Sequence, residues 1–232
     1  MAIRHLLLLG VGLSAQCAIA ICPAPEPKVC SEFFTSDKVF FGQVIEITPL
    51  REDGTKPGDD DVYEKIRFVI KVERALKGTL AAIESVETGN DTGRWIADVG
   101  DRRVVFAHQG QVGGLCSPID EAEHAEETLR AIRRLKAAPG PTTIEGEVTA
   151  GGGGRAPGFS PAAGRVVKVT GLNRSYRAMT DRRGRFSIAV APGHYRFESP
   201  DLSTTVYGRL DADDFDLAPG QCAQFQLWTP PR

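Results

Sequence analysis

The stretch Thr180–Glu198, T-D-R-R-G-R-F-S-I-A-V-A-P-G-H-Y-R-F-E, decides how the rest of the chain is read. Asp181 and Gly184 hold the first and last places of a four-residue turn. An Asp side chain there bonds the backbone two residues on, and Gly tolerates the exit conformation. Phe186, Ile188 and Val190 then alternate with Arg185, Ser187 and Ala189, so a period of two places the first set on a buried face and the second on an open one. Pro192-Gly193 makes the next turn. Tyr195 and Phe197 resume the buried face, with His194, Arg196 and Glu198 outward. The run predicts strand, tight turn and strand, and it holds no group arranged for chemistry.

The same cadence continues on both sides. Ile144–Thr149, Arg165–Thr170, Tyr176–Met179, Thr204–Leu210 and Ala223–Trp228 read as further short strands with turn signals between them, and residues 151–164 as a Gly/Pro-rich loop. Small residues and prolines at 137–141 mark a break, which sets the domain boundary at 138/139. Ahead of it, Val39–Ile47 is β-branched and aromatic, residues 48–61 form a charged loop, and Ile66, Phe68, Ile70 and Val72 alternate with mostly polar neighbours. Arg103–Ala107 is a shorter, more apolar strand. One helix is expected, opened by Ser117 as cap and Pro118 at its first position, with Ala122, Ala125, Leu129, Ile132 and Leu135 at helical spacing. Its acids come first (Glu121, Glu123, Glu126, Glu127) and its bases last (Arg130, Arg133, Arg134, Lys136), as the helix dipole favours.

The first residues read as an address. Arg4 and His5 precede an apolar run from Leu6 to Leu13 and then Ala18-Ile19-Ala20, the pattern of a signal peptide over residues 1–20. The run is too short to span a membrane as a helix, and no later stretch is apolar enough. L-S-A-Q-C, ending at Cys17, offers lipidation as a minor alternative, with Gln16 in the place where a small residue is normal. Cleavage after Ala20 leaves Cys22, Cys30, Cys116 and Cys222. Four cysteines in an oxidising compartment predict two disulfides, with three pairings formally open. The expected location is the periplasm or the outside of the cell.

Composition narrows the function. The chain has 232 residues and a formal net charge of −2, with no long basic run, which argues against nucleic-acid binding. No G-x-S-x-G, H-E-x-x-H or phosphate loop is present, and His108, His124 and His194 are scattered. His124 and Glu127 read as a helix-surface pair. The cysteines have no zinc-site spacing. Asp59-Asp60-Asp61 and Asp211, Asp213, Asp214, Asp216 are acidic clusters without EF-hand spacing, and solvated turns are the reading preferred over calcium. No catalytic residue, cofactor or metal site is assigned, and an enzyme is not expected.

Two resemblances add to this. The second half, through G-E-V-T at Gly146, V-V-K-V-T-G at Val166, T-D-R-R-G-R-F at Thr180 and P-G-H-Y-R-F at Pro192, resembles the carboxypeptidase regulatory-like domain, a transthyretin-like sandwich also similar to Cna-B-type modules. The first half is similar to the netrin-like and TIMP (tissue inhibitor of metalloproteinases) superfamily. That likeness lies in Cys22 and Cys30, S-D-K-V-F-F-G-Q-V at Ser36, F-V-I-K-V-E-R-A-L-K-G at Phe68, V-G-D-R-R-V-V-F-A at Val99, and Cys116 before the helix. Together they imply a mainly β protein: a signal peptide, an OB-like β-barrel with one C-terminal helix over residues 21–138, and a seven-stranded antiparallel β-sandwich over residues 139–232. The second resemblance implies the pairs Cys30–Cys116 and Cys22–Cys222. It also implies an alternative role, metalloprotease inhibition through an N-terminal Cys22. Against that role stand Ile21 ahead of Cys22, Pro23-Ala24 in place of a Cys-x-Cys opening, and Arg94-Trp95 where a Cys-Gly is usual. One extra residue displaces the chelating atoms by about 3.5 Å. The expected role is binding of a protein or cell-envelope component through residues 48–61 and 151–164.

Overall fold

The computed structural model describes residues 28–58, 62–90, 94–113, 125–150, 160–199, 201–205 and 214–229. It is mainly β. A short helix α1 (Val29–Thr35) leads into β1 (Lys38–Leu50), β2 (Lys65–Lys77), β3 (Ile83–Gly89), β4 (Arg102–His108) and β5 (Gln111–Val112), followed by helix α2 (Ala125–Ala137). The five strands close into a barrel in the order β1-β2-β3-β5-β4. β1 and β4 pair antiparallel, and a parallel contact between Glu87 and Gln111 joins β3 to β5. Because β1 runs to Leu50, the expected loop from Thr48 begins as strand, paired with Ile66 and Arg67.

Alternation assigns the faces. Phe40, Val44, Phe68, Ile70, Val86 and Val105 fill the barrel with Trp95, whose ring lies 4.5 Å from that of Phe68. From the same strands Val39, Val104 and Phe106 point the other way, onto Phe33 of α1 and Leu129 and Ile132 of α2. Strand β4 is thus buried on both faces, the physical reason for its unbroken V-V-F-A. The start of the expected helix at Ser117 lies outside the described residues. From Ala125 onward the spacing's Ala125, Leu129 and Ile132 are buried and Leu135 partly so, while Thr128 is buried beside them without being predicted.

Helix α1 was not expected. Seven residues are too few for helical stability of their own. Its formation rests on contacts: Phe33 is buried, and the Lys77 ammonium donates to the Phe33 and Phe34 carbonyls at 2.7 and 2.9 Å, satisfying last-turn acceptors.

The second half carries nine described strands: β6 (Thr143–Ala150), β7 (Ser160–Pro161), β8 (Val166–Gly171), β9 (Ser175–Met179), β10 (Arg185–Ala189), β11 (Gly193–Phe197), β12 (Ser203–Thr205), β13 (Asp214–Leu217) and β14 (Cys222–Thr229). One sheet has the order β10-β6-β14-β12, with β7 on β6, and the other the order β13-β11-β8-β9. Both contribute to a single core that includes Ile144, Val148, Val167, Val169, Phe186, Tyr195, Phe215 and Phe225. The antiparallel, seven-strand expectation is corrected: β7 and β13 add short strands, and β6 pairs with β14 in parallel along eight residues. At that seam a Cβ on Gly146 would lie 2.0 Å from the Phe225 carbonyl oxygen, so only glycine fits.

The turn at Asp181 forms as its sequence predicts. The Asp181 carboxylate accepts from the Arg183 and Arg185 backbone N–H groups at 2.8 and 2.9 Å, and Gly184 sits at φ +74°. Phe186, Ile188 and Tyr195 are buried, whereas His194, Arg196 and Glu198 are exposed.

Candidate functional site

Where the second sheet's strands end, two turns enclose a cavity of about 280 Å³. One wall is the β8–β9 hairpin tip, closed by the Gly171 N–H donating to the Arg174 carbonyl at 2.8 Å. The other is the 191–193 turn ahead of β11. Leu172, Arg174, Tyr176, Pro192, His194 and Tyr195 are among the lining residues. Tyr195 is fixed from within. Its ring meets those of Tyr176 and Phe215, and its hydroxyl donates to the Ala191 carbonyl. Burial, and secondarily the Tyr176 hydroxyl, push its phenol above the ordinary value.

Beside the cavity, β11 and β13 hold an ion-pair cluster. The His194 ring contacts the Asp214 and Asp216 carboxylates, the latter at 3.0 Å, and Arg196 donates to Asp214 at 2.8 Å. The Arg196 hydrogen bond, with His194 adding to it, holds the Asp214 carboxyl below the usual range. Asp214 and Asp216 therefore belong to a strand, not to the acidic turn expected there: Phe215 and Leu217 alternate with them into the core. His194 stands on the exposed face, as predicted. Arg174 is different. Its guanidinium has no ion pair or hydrogen bond among the described residues. The recess thus offers one uncommitted cation, two phenol rings and an aliphatic tip. Such a combination of apolar walls and a few polar groups is what small-ligand recesses are built from; no lining residue is a serine, cysteine or lysine.

The cysteines are paired differently from what the netrin-like resemblance implies. Cys30 bonds Cys222, joining α1 to β14 across 192 residues, with Cα atoms 6.0 Å apart. This overturns both implied pairs, Cys30–Cys116 and Cys22–Cys222. The reason is packing: α1 lies against β14 as well as α2 and β4, which brings Cys30 within bonding distance of Cys222. The Lys28 backbone N–H donates to the Gln224 side chain at 2.8 Å, and the Lys28 ammonium pairs with Glu145, so the junction is polar as well as covalent. Cys17, Cys22 and Cys116 lie outside the described residues.

The other residues singled out from sequence do not converge. His108 ends β4, 3.9 Å from Asp37. Glu127 is exposed on α2, while His124, Asp59-Asp60-Asp61, Asp211 and Asp213 lie outside the described residues. So do residues 151–159 of the expected contact loop, although Ser160-Pro161 pairs with β6 as β7. Among the described residues no group of three or more His, Cys, Asp or Glu side chains is placed to hold a metal ion, and no helix is long and apolar enough to cross a membrane. Glu147 is buried on β6 with its carboxylate 3.8 Å from Arg185 across the sheet; burial raises its pKa above the ordinary value despite that cation. The sequence signal for the cavity was weak because Arg174 and His194 are far apart along the chain and meet only through β8–β11 pairing. Comparison with known proteins adds no relative: no protein-family model matches the chain, and no curated protein is significantly similar to it.

Proposed function

We propose that this is an exported, non-enzymatic protein of two modules, an OB-like barrel and a transthyretin-like sandwich, that binds a protein or cell-envelope component. The observation that carries the reading is the Cys30–Cys222 bond between α1 and β14. A structural disulfide persists in an oxidising compartment, and this one clamps two β scaffolds into a single presenting body. The strand order β1-β2-β3-β5-β4 with helices packed outside suits the OB-like module, and two sheets over one core suit the sandwich. Rigid scaffolds of this kind act through their turns, and the cavity between the β8–β9 and 191–193 turns is such a place.

The test is export followed by partner capture. Cells expressing the tagged chain are fractionated, and the mature protein is cross-linked in its native envelope. Recovery of a specific envelope component with the oxidised protein supports the reading. Retention in the cytoplasm, or catalytic turnover by the purified chain, removes it.

A further inference from the structure

The near-neutral total hides a local imbalance. Between Arg165 and Glu198 there are eight Lys or Arg and two Asp or Glu, a formal +6 in a chain whose total is −2. The structure shows which of these charges are spent. Lys168 pairs with Glu198, Arg185 lies near Glu147, and Arg196 holds Asp214. Asp181 gives its carboxylate to two backbone N–H groups. Arg165, Arg174, Arg177, Arg182 and Arg183 are left with no ion pair or side-chain hydrogen bond among the described residues. All but the half-buried Arg165 are exposed.

These five lie along one margin of the molecule. β9 is the edge strand of its sheet. Arg177 faces outward at its centre, directly opposite Lys168. Arg174 stands at the hairpin tip at one end, and Arg165, Arg182 and Arg183 stand around the turn at the other. Interleaved with them are exposed aliphatic side chains. Leu172 at the tip is 87% exposed, and the cross-strand pair Met179 and Val166 are 69% and 54% exposed. Asp214 and Asp216 sit at the opposite edge of the same sheet, on β13, held by His194 and Arg196, and Glu198 beside β8 is taken up by Lys168.

We propose that the β8–β9 hairpin is a docking face for an anionic lipid bilayer. Unpaired arginines meet the headgroup charge, and Leu172, Val166 and Met179 enter the apolar boundary beneath it. The pairing of both features selects the partner. Guanidinium groups alone fit any polyanion, but exposed aliphatics among them gain only where an apolar layer lies under the charge. Arg174 places the cavity's uncommitted cation beside the inserting tip. This inference deepens the envelope-binding role by naming its surface and chemistry.

The test is co-flotation of the full chain with vesicles of phosphatidylcholine alone and of phosphatidylcholine mixed with phosphatidylglycerol. Any contribution of the apolar segment 6–13 is common to all variants and both vesicle types. The wild type floats with the anionic vesicles and not with the neutral ones, and raising salt from ~0.1 M to ~1 M, which shortens the screening length from about 10 Å to about 3 Å, releases it. Each arginine neutralised lowers partitioning about fivefold, so R174Q/R177Q/R182Q loses about a hundredfold. L172S loses about tenfold with the charge intact. These positions are exposed, and circular dichroism with an intact Cys30–Cys222 peptide verifies the fold of each variant. Equal binding to neutral vesicles, or a triple variant that floats like the wild type, overturns the proposal. So does retention of duplex DNA or polyglutamate at matched salt with no vesicle binding, since the surface then serves a polyanion or an acidic protein. An envelope partner captured equally by wild type and triple variant leaves the broader reading standing while the lipid face falls.

Discussion

Removing the Cys30–Cys222 bond tests the junction on which the whole shape depends. The perturbation is C30A/C222A, which takes out both sulfurs and leaves no new thiol. A cross-link over 192 residues restrains the unfolded chain by about 4–5 kcal/mol in the chain-entropy model, the lower end applying if a second bridge shortens the loop. Cys222 is 4% exposed, so replacing it also removes packed sulfur from the α1–β14 contact, worth up to about 1 kcal/mol more. The assay is urea unfolding followed by tryptophan fluorescence. The two tryptophans report separately, because Trp95 is in the barrel core and Trp228 is on β14. Joined by the bond, the two probes share one transition. In the double variant the midpoints fall and separate, because among the described residues the halves are then coupled by the α1 contacts and the two Lys28 links, to Gln224 and Glu145, with no covalent bond. A loss below about 1 kcal/mol with coincident midpoints refutes the reasoning, since it falls short of what closing so long a loop must contribute. Non-reducing peptide mapping is the direct companion: a peptide joining Cys30 to Cys116 contradicts the packing of α1 on β14.

Other outcomes follow from single contacts. Because the fold raises the Glu147 proton affinity, the stability tied to its neutral form is full at low pH. It is lost as pH climbs from the ordinary glutamate range, ~4.3, through the raised folded value; E147Q should flatten that part of the pH–stability curve and melt higher than wild type at neutral pH. Thr180 donates to the Ala162 carbonyl at 2.6 Å and accepts from the Arg165 N–H at 2.9 Å while 5% exposed, so T180V should cost about 2–3 kcal/mol by thermal melting, and T180S should restore most of it. G146A drives a methyl into the Phe225 carbonyl and should cost about 3 kcal/mol or more, read as a loss of soluble yield or of Trp228 burial. Mapping of the remaining cysteines in the oxidised protein should find Cys22 joined to Cys116, the pairing left by Cys30–Cys222; free thiols at both positions would count against an even set of bridges.

Much of the fold was legible where several local signals agreed. At Thr180–Glu198 turn chemistry, alternation and β-branched or aromatic content all pointed the same way, and Phe186, Ile188 and Tyr195 are buried as expected, with Val190 and Phe197 partly so. Strand β3 gave no such agreement: I-E-S-V-E-T-G carries two glutamates, and Glu84 is buried because Lys38 of β1 reaches it at 2.7 Å and the Ala81 N–H at 2.8 Å. Only the barrel reveals that partner. Likewise D-F-D-L reads as an acidic turn until His194 and Arg196 neutralise its carboxylates. Helix α1 was hidden because its stabilising groups, Lys77 and α2, come from elsewhere in the chain. The cysteine pairing was hidden for the same reason. A resemblance supplied a partner within the first half, whereas the packing of α1 supplied one from the last described strand. The basic margin escaped notice because its arginines are dispersed through strands and turns, and a whole-chain charge averages them against acids on the other half.

The parallel pairing of β6 with β14 also sets an order of events. The centre of the five-stranded sheet joins Thr143 to Cys222, and the same last strand receives the disulfide from α1. Neither connection can form before β14 has been made. Until then β6 lacks its central neighbour and α1 its covalent anchor. The sheet of the second half and the clamp between the two halves are therefore completed together, by the last described strand.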